Sequence, residues 1–197
     1  MVTTDTLLRY AMEGWEWRHW YADAHTAIAE VCKRFNWDVD RFIDVMAITS
    51  PRVQVSRNWG LTFTYMRTGS LPRGVMRSTR TALSNWEKGE GIKGRKTGPF
   101  AAALKGDADA LVLDVWMALA LGVEQTKVTR LDNIAAARRR MERIAGVLGC
   151  TMAEAQASVW CGIIRSRGGM PARFERAADG TIRLHSGMTK PLFGDWV

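Results

Sequence analysis

Apolar residues recur at helical spacing through most of the chain, and the pattern predicts a succession of helices with little strand. Residues 5–35 carry Leu7, Leu8, Ala11, Trp15, Ala22, Ile28, Val31 and Cys32 mostly at helical spacing and read as helix up to a break at Asn36 and Trp37. Asp40 then caps a helix through Val45 and Met46, which Ser50-Pro51 brings to an end. Ser56 to Met66 places Trp59, Phe63 and Met66 on one side, and Gly69 to Gly74 is a connection. Val75 to Trp86 reads as a short helix, and residues 99–105 as a short apolar one. Asp107 to Gly122 reads as a strongly apolar helix interrupted by one acid, Asp114. Asn133 to Leu148 is basic and amphipathic, and Met152 to Arg165 is apolar on one side. Beyond Ser166 the chain is rich in Gly, Pro and Arg, and only Thr181 to Leu184 hints at a strand.

A chain of 197 residues with this pattern is long enough for one domain, or one domain of two lobes, that buries a sizeable core. No apolar run is long enough to cross a bilayer, and Met1 to Tyr10 lacks the basic start and apolar core of a signal peptide, so the expectation is a soluble cytoplasmic protein. Cys32, Cys150 and Cys161 are far apart and form no ligand spacing with the three His, so no metal or other cofactor is expected. The net charge of +8 favours a polyanionic partner, because each Lys or Arg placed on a phosphate releases a condensed counterion. Nine Trp leave two readings open, core anchors or platforms for bases.

The segment from Gly89 to Gly122 carries the candidate chemistry. Gly91-x-x-Gly94 between two helices lets backbone approach a ligand closely, and the helix start at Arg95, Lys96 and Thr97 turns free N–H groups and two cations toward a phosphate. Lys93 adds charge to the same loop. Asp114 within LVLDVWMALALG is costly to bury unpaired, so it is paired, functional, or the cap of a helix beginning at Val115.

Gly94-Arg95-Lys96-Thr97 resembles the end of the hairpin in endonuclease III-type DNA glycosylases, and Val112 to Gly122 resembles the later motif that holds their catalytic Asp. Lys96 and Asp114 are 18 residues apart, a separation similar to the family's Lys and Asp. SPRVQVSRN, residues 50–58, and WCGIIRSRG, residues 160–168, are similar to two further segments in the same order. The resemblance is closest to small phage-encoded proteins of this helix–hairpin–helix superfamily. The sequence departs from endonuclease III in its GEGIKG hairpin, in Val115-Trp116 after the Asp, and in lacking the iron–sulfur cysteines.

The resemblance implies an all-α, two-lobed helical bundle over residues 1–197, with a helix–hairpin–helix motif at about 86–105 and a basic, less ordered tail at 166–197. It implies a monomer that binds DNA and works on an extruded base. Asp114 would stabilise positive charge developing on the sugar, and Lys96 would attack it as a neutral amine or, alternatively, hold a phosphate. Gly91, Lys93, Gly94, Arg95 and Thr97 would hold the DNA backbone. Arg52 or Gln54 would wedge into the vacated stack, with Asn58 beside them. Trp116, Trp160 and Tyr65 would line the base pocket. Three functions follow: a glycosylase that cleaves an N-glycosidic bond, an enzyme of the same ancestry that joins an amine or amino acid to an activated thymidine, and a DNA-binding module without chemistry. The Arg138–Arg140 run reads as a solvated helix face or as a DNA contact.

Overall fold

The computed structural model describes residues 2–176 and 182–185, and over them the protein is all-α apart from one small sheet. The helices are α1 (Thr4–Glu13), α2 (Trp20–Phe35), α3 (Val39–Thr49), α4 (Val55–Thr68), α5 (Arg77–Glu87), α6 (Thr97–Leu104), α7 (Val115–Leu121), α8 (Leu131–Leu148) and α9 (Met152–Ser166). Strands β1 (Arg173–Arg176) and β2 (Ile182–His185) pair antiparallel, with Phe174 opposite Leu184. The hint of a strand at 181–184 is met by Ile182–His185, with a partner that the pattern did not reveal; Thr181 lies outside the described residues. Residues 177–181 and 186–197 of the tail lie outside the described residues.

Two adjoining cores organise the helices. The first takes Leu7 and Ala11 of α1, Met117 and Leu121 of α7, Met141 and Ile144 of α8, and Met152, Val159 and Ile163 of α9. The second takes Trp20 and Ile28 of α2, Phe42 and Met46 of α3, Phe100 and Leu104 of α6, and Ala157 and Cys161 of α9. A smaller cluster of Val45, Ile48, Tyr65 and Leu83 joins α3, α4 and α5. α9 is thus buried on nearly every side, as a helix shared between two cores must be, and Trp160 packs against both. Cys32 and Cys161 are buried within this packing, Cys150 is half-buried, and all three are free thiols.

The helical stretch expected over 5–35 is two helices. It breaks at Gly14, where a short 3-10 turn, Trp15–Trp17, begins. Close approach of α1 to α9 explains the break: a Cβ on Gly14 would lie 2.1 Å from the Ser158 carbonyl oxygen, and one on Gly162 would lie 1.8 Å from that of Tyr10. Gly162→Ala is therefore expected to destabilise the protein by about 3 kcal/mol, since backbone must move to admit the methyl group. At this chain length that lowers Tm by roughly 6–12 °C in a thermal melt.

The expected helix over 107–122 is also shorter. α6 ends at Leu104, Asp107 Oδ1 accepts from the Asp109 N–H at 2.9 Å, and Ala110 to Leu113 run buried between the cores without helical structure. Helix resumes only at Val115, behind Asp114 as its cap. At α3 the cap is Asp38 rather than Asp40: Asp38 Oδ1 accepts from the Arg41 N–H at 2.6 Å. Among the described residues no single helix is long and apolar enough to cross a membrane.

Candidate functional site

Asp114 is half-buried, and each of its carboxylate oxygens has a donor. Oδ1 accepts from the N–H groups of Trp116 and Met117, each at 3.0 Å, which satisfies the exposed donors of the first turn of α7. Oδ2 accepts from Trp160 Nε1, also at 3.0 Å, across from α9. The carboxylate is therefore fixed in direction by two elements, and its negative charge sits at a helix N-terminus. Of the residues read as a base pocket, Trp160 is placed beside Asp114. Trp116 contributes its backbone N–H there, while its ring packs on the first core.

Lys96 lies immediately before α6, and its carbonyl accepts from the Phe100 N–H at 3.0 Å. Burial lowers its pKa below that of an ordinary lysine, and the Asp114 charge partly opposes this. The two groups therefore sense one another, yet among the described residues the Lys96 amine has no ion pair or hydrogen bond. An amine placed this way gives up its proton more readily than a solvated one while a carboxylate stays near.

Lys96 also lines a cleft of about 850 Å³ between α5 and the loop that joins α5 to α6. Arg77, Lys93, Arg95 and Lys96 face it together with Ser78, Thr81 and Thr97, and no carboxylate is among its lining residues. The loop residues Gly91 and Gly94 have φ of 71° and 139°, where a Cβ is strained, and a Cβ at Gly94 would also meet Thr97 Oγ1 at 2.4 Å. Thr97 Oγ1 donates to the Lys93 carbonyl at 3.1 Å, and Arg95 Nη1 donates to the Thr129 carbonyl at 2.6 Å, so the loop is pinned at both sides. Lys93 also pairs with Glu90 at 2.7 Å. All five loop residues read from the sequence thus belong to one cleft. Arg77, Ser78 and Thr81 of α5 were missed; their signal was basic and hydroxyl side chains on one face of a short helix.

The turn between α3 and α4 reaches the same cleft through Pro51. Arg52 is exposed and held at φ 58°, a left-handed conformation that costs a non-glycine residue on the order of 1 kcal/mol or more. Gln54 is exposed at the start of α4 without a side-chain capping bond. Two residues read from the sequence are corrected. Asn58 is only 2% exposed; its Nδ2 donates to the Met46 carbonyl at 2.9 Å and its Oδ1 accepts from Thr49 Oγ1 at 2.7 Å, so it ties α4 to α3 and is not available to DNA. Tyr65 is 4% exposed in the smallest cluster and donates to Glu87, so it has no free face for a base. Arg138 is neither fully solvated nor free: it donates to the Asp109 carbonyl at 3.3 Å and fastens α8 to the turn before Asp114.

Further residues around Asp114 went unread. Tyr21 of α2 feels the Asp114 charge and donates to Gln156 Oε1 at 2.6 Å. Burial first and that charge second push its phenol well above the ordinary value, which keeps it a donor. Trp20 stands edge-on to Trp160 with centroids 5.6 Å apart, and Phe100 lies 6.3 Å from the Tyr21 ring. Gln156 was legible as a polar residue inside the apolar run of α9, but its partner lies 135 residues away. Among the described residues no three His, Cys, Asp or Glu side chains converge as metal ligands.

No curated protein matches the chain, and no solved structure does. Residues 11–168, from the middle of α1 to the end of α9, match the family of unknown function DUF7178, and the chain belongs to that family.

Proposed function

We propose that the protein binds DNA and acts on a single extruded base, as a helix–hairpin–helix enzyme of the glycosylase type that cleaves an N-glycosidic bond. The observation that carries this reading is the placement of a desolvated Lys96 amine on the wall of a basic, carboxylate-free cleft, within the field of a rigidly held Asp114. The cleft supplies what a phosphate backbone needs: four cations, hydroxyls, and glycine backbone that can be approached closely. In this reading α5, the glycine loop and α6 are the helix–hairpin–helix motif, and the strained turn at Arg52 supplies the wedge.

The division of labour follows from the chemistry. Departure of the base leaves positive charge on the sugar, which the Asp114 carboxylate offsets without reorganising, because three N–H donors already fix it. The base leaves C1′ with the electron pair of the N-glycosidic bond and takes a proton from solvent, while Lys96, once neutral, can bond to C1′ and give its own proton to solvent. The test uses duplexes that each carry one uracil, oxidised, alkylated or mismatched base, followed by hot alkali. Scission at the marked base establishes excision. Tight, salt-sensitive binding without scission would turn the reading to modification of the base instead.

Binding itself has an expected salt signature. The logarithm of the affinity for duplex DNA should fall linearly with the logarithm of salt concentration, and Arg77→Ala or Lys93→Ala should each reduce the slope by about 1. Equal slopes in the wild type and both variants would remove the cleft from the DNA interface.

A further inference from the structure

We propose that the cleft between α5 and the glycine loop binds one nucleotide, with its phosphate at the start of α5 and its base near Asn85. α5 begins without a side-chain cap and without an acid in its first turn, so its first N–H groups lack side-chain acceptors. All three first-turn residues, Arg77, Ser78 and Thr79, line the cleft. A cation at a helix N-terminus opposes the helix dipole, and Arg77 stands there with no partner among the described residues. Both features become favourable once an anion sits between them. Thr79 is an independent sign of a ligand. It is 4% exposed, it lines the cleft, and its hydroxyl makes no hydrogen bond among the described residues. The hydroxyl is not sealed in the core either, so it opens on the cleft.

The rest of the cleft says what the phosphate is attached to. At 1.5 Å per residue, the stretch of α5 from Arg77 to Asn85 runs about 12 Å, comparable to a phosphate with its sugar and base. Glu90 N–H donates to the Asn85 carbonyl at 3.1 Å, which brings the start of the loop, and Ile92 with it, to the far end of that stretch. Exposure changes with chemistry across the cleft. Arg77, Lys93 and Arg95 are exposed at its rim, whereas Ile48 is 4% exposed and Ile92 is half-buried. A phosphate alone leaves such an apolar floor in water; a flat base covers it. Asn85 adds an amide, a donor and an acceptor together, for the base edge. The volume of about 850 Å³ is that of a small-ligand site and far exceeds what a phosphate ion fills. An extruded nucleotide of a strand and a free nucleotide present this same chemistry, so the inference goes beyond the DNA reading and stands without it.

The experiment is calorimetric titration with thymidine and deoxyadenosine 5′-monophosphates, with the two nucleosides, and with inorganic phosphate, at one ionic strength. At least one monophosphate should bind about 10- to 100-fold more tightly than both its nucleoside and phosphate, as expected when charged hydrogen bonds and base burial act together. Thr79→Val keeps the shape, removes the hydroxyl, and should weaken that monophosphate by about 10-fold while the nucleoside is unaffected. Should Thr79→Val not fold, Arg77→Ala, on an exposed residue, carries the same expectation. Ala82→Phe, also exposed on the cleft face of α5, should abolish the gain of the monophosphate over phosphate while phosphate itself still binds. Saturation with a single-stranded oligonucleotide then names the source. Displacement of the monophosphate assigns the site to a nucleotide within a strand, and undisturbed binding assigns it to a free nucleotide. Phosphate or nucleoside binding as tightly as the monophosphates, no monophosphate binding, or binding indifferent to all the variants overturns the inference; DNA binding that persists in that case leaves the DNA reading standing. Monophosphate binding by a protein that holds no DNA upholds the inference and overturns the DNA reading instead.

Discussion

Asp114→Asn should lower the single-turnover rate of base removal by about 10²- to 10³-fold, the loss seen when one preorganised charge-stabilising group is taken from a site. The substitution is close in shape but wrong in polarity. Asn Oδ1 can keep the N–H groups of Trp116 and Met117, but its amide nitrogen then faces Trp160 Nε1, donor against donor. That loss should cost about 1–2 kcal/mol, or roughly 2–8 °C in Tm. Asp114→Ser separates the two jobs, since a serine hydroxyl is as good a helix cap as a carboxylate. A serine hydroxyl also leaves Trp160 Nε1 without its acceptor, so if Asp114→Ser melts no lower than Asp114→Asn but loses the same 10²- to 10³-fold in rate, the carboxylate serves the reaction. If it retains the rate within tenfold, Asp114 is a cap alone and the excision mechanism fails.

Lys96→Met should abolish covalent trapping on DNA. With an abasic-site duplex, a neutral Lys96 amine condenses with the C1′ aldehyde, loses water, and is fixed when borohydride reduces the imine. The expected loss exceeds about 100-fold, because no other group replaces an activated nucleophile. The pH profile gives an independent reading. Burial lowers the Lys96 pKa, so trapping should rise with pH through a midpoint below the 10.5 of an ordinary lysine. The Asp114 charge opposes that lowering, so Asp114→Asn should move the midpoint to still lower pH. Stability carries the matching sign. A lysine whose folded pKa lies below its unfolded value costs the fold stability in full below the folded pKa, and the cost vanishes as pH rises toward the unfolded value. Lys96→Met should therefore raise Tm at neutral pH, by less as the pH approaches 10.5. Trapping that survives in Lys96→Met would assign the chemistry to another amine and leave Lys96 a phosphate contact.

The helical periods were legible where a helix has one buried face. α9 was expected to end at Arg165 and ends at Ser166; α8 was expected from Asn133 and begins at Leu131. Periodicity misled where burial is nearly complete. Ala110 to Leu113 are buried without helical structure, and a short apolar run carries no period that separates such a segment from helix. At Gly14 the helical spacing continues past a break that depends on α9, about 150 residues later.

The candidate site divides along the same line. Lys96, Asp114 and the glycine loop were readable because their chemistry is local: a charge in an apolar run, and small residues beside cations at a helix start. The sequence by itself thus determined an all-α chain, a net positive charge and one segment that stands out as a candidate site. Only the tertiary structure decided that Asn58 and Tyr65 serve packing, that Trp160 anchors Asp114, and that Tyr21 and Gln156 meet across 135 residues. The physical reason is that local pattern specifies which side of a helix is buried, whereas a hydrogen-bond partner or a shifted pKa depends on which other helix closes over that side.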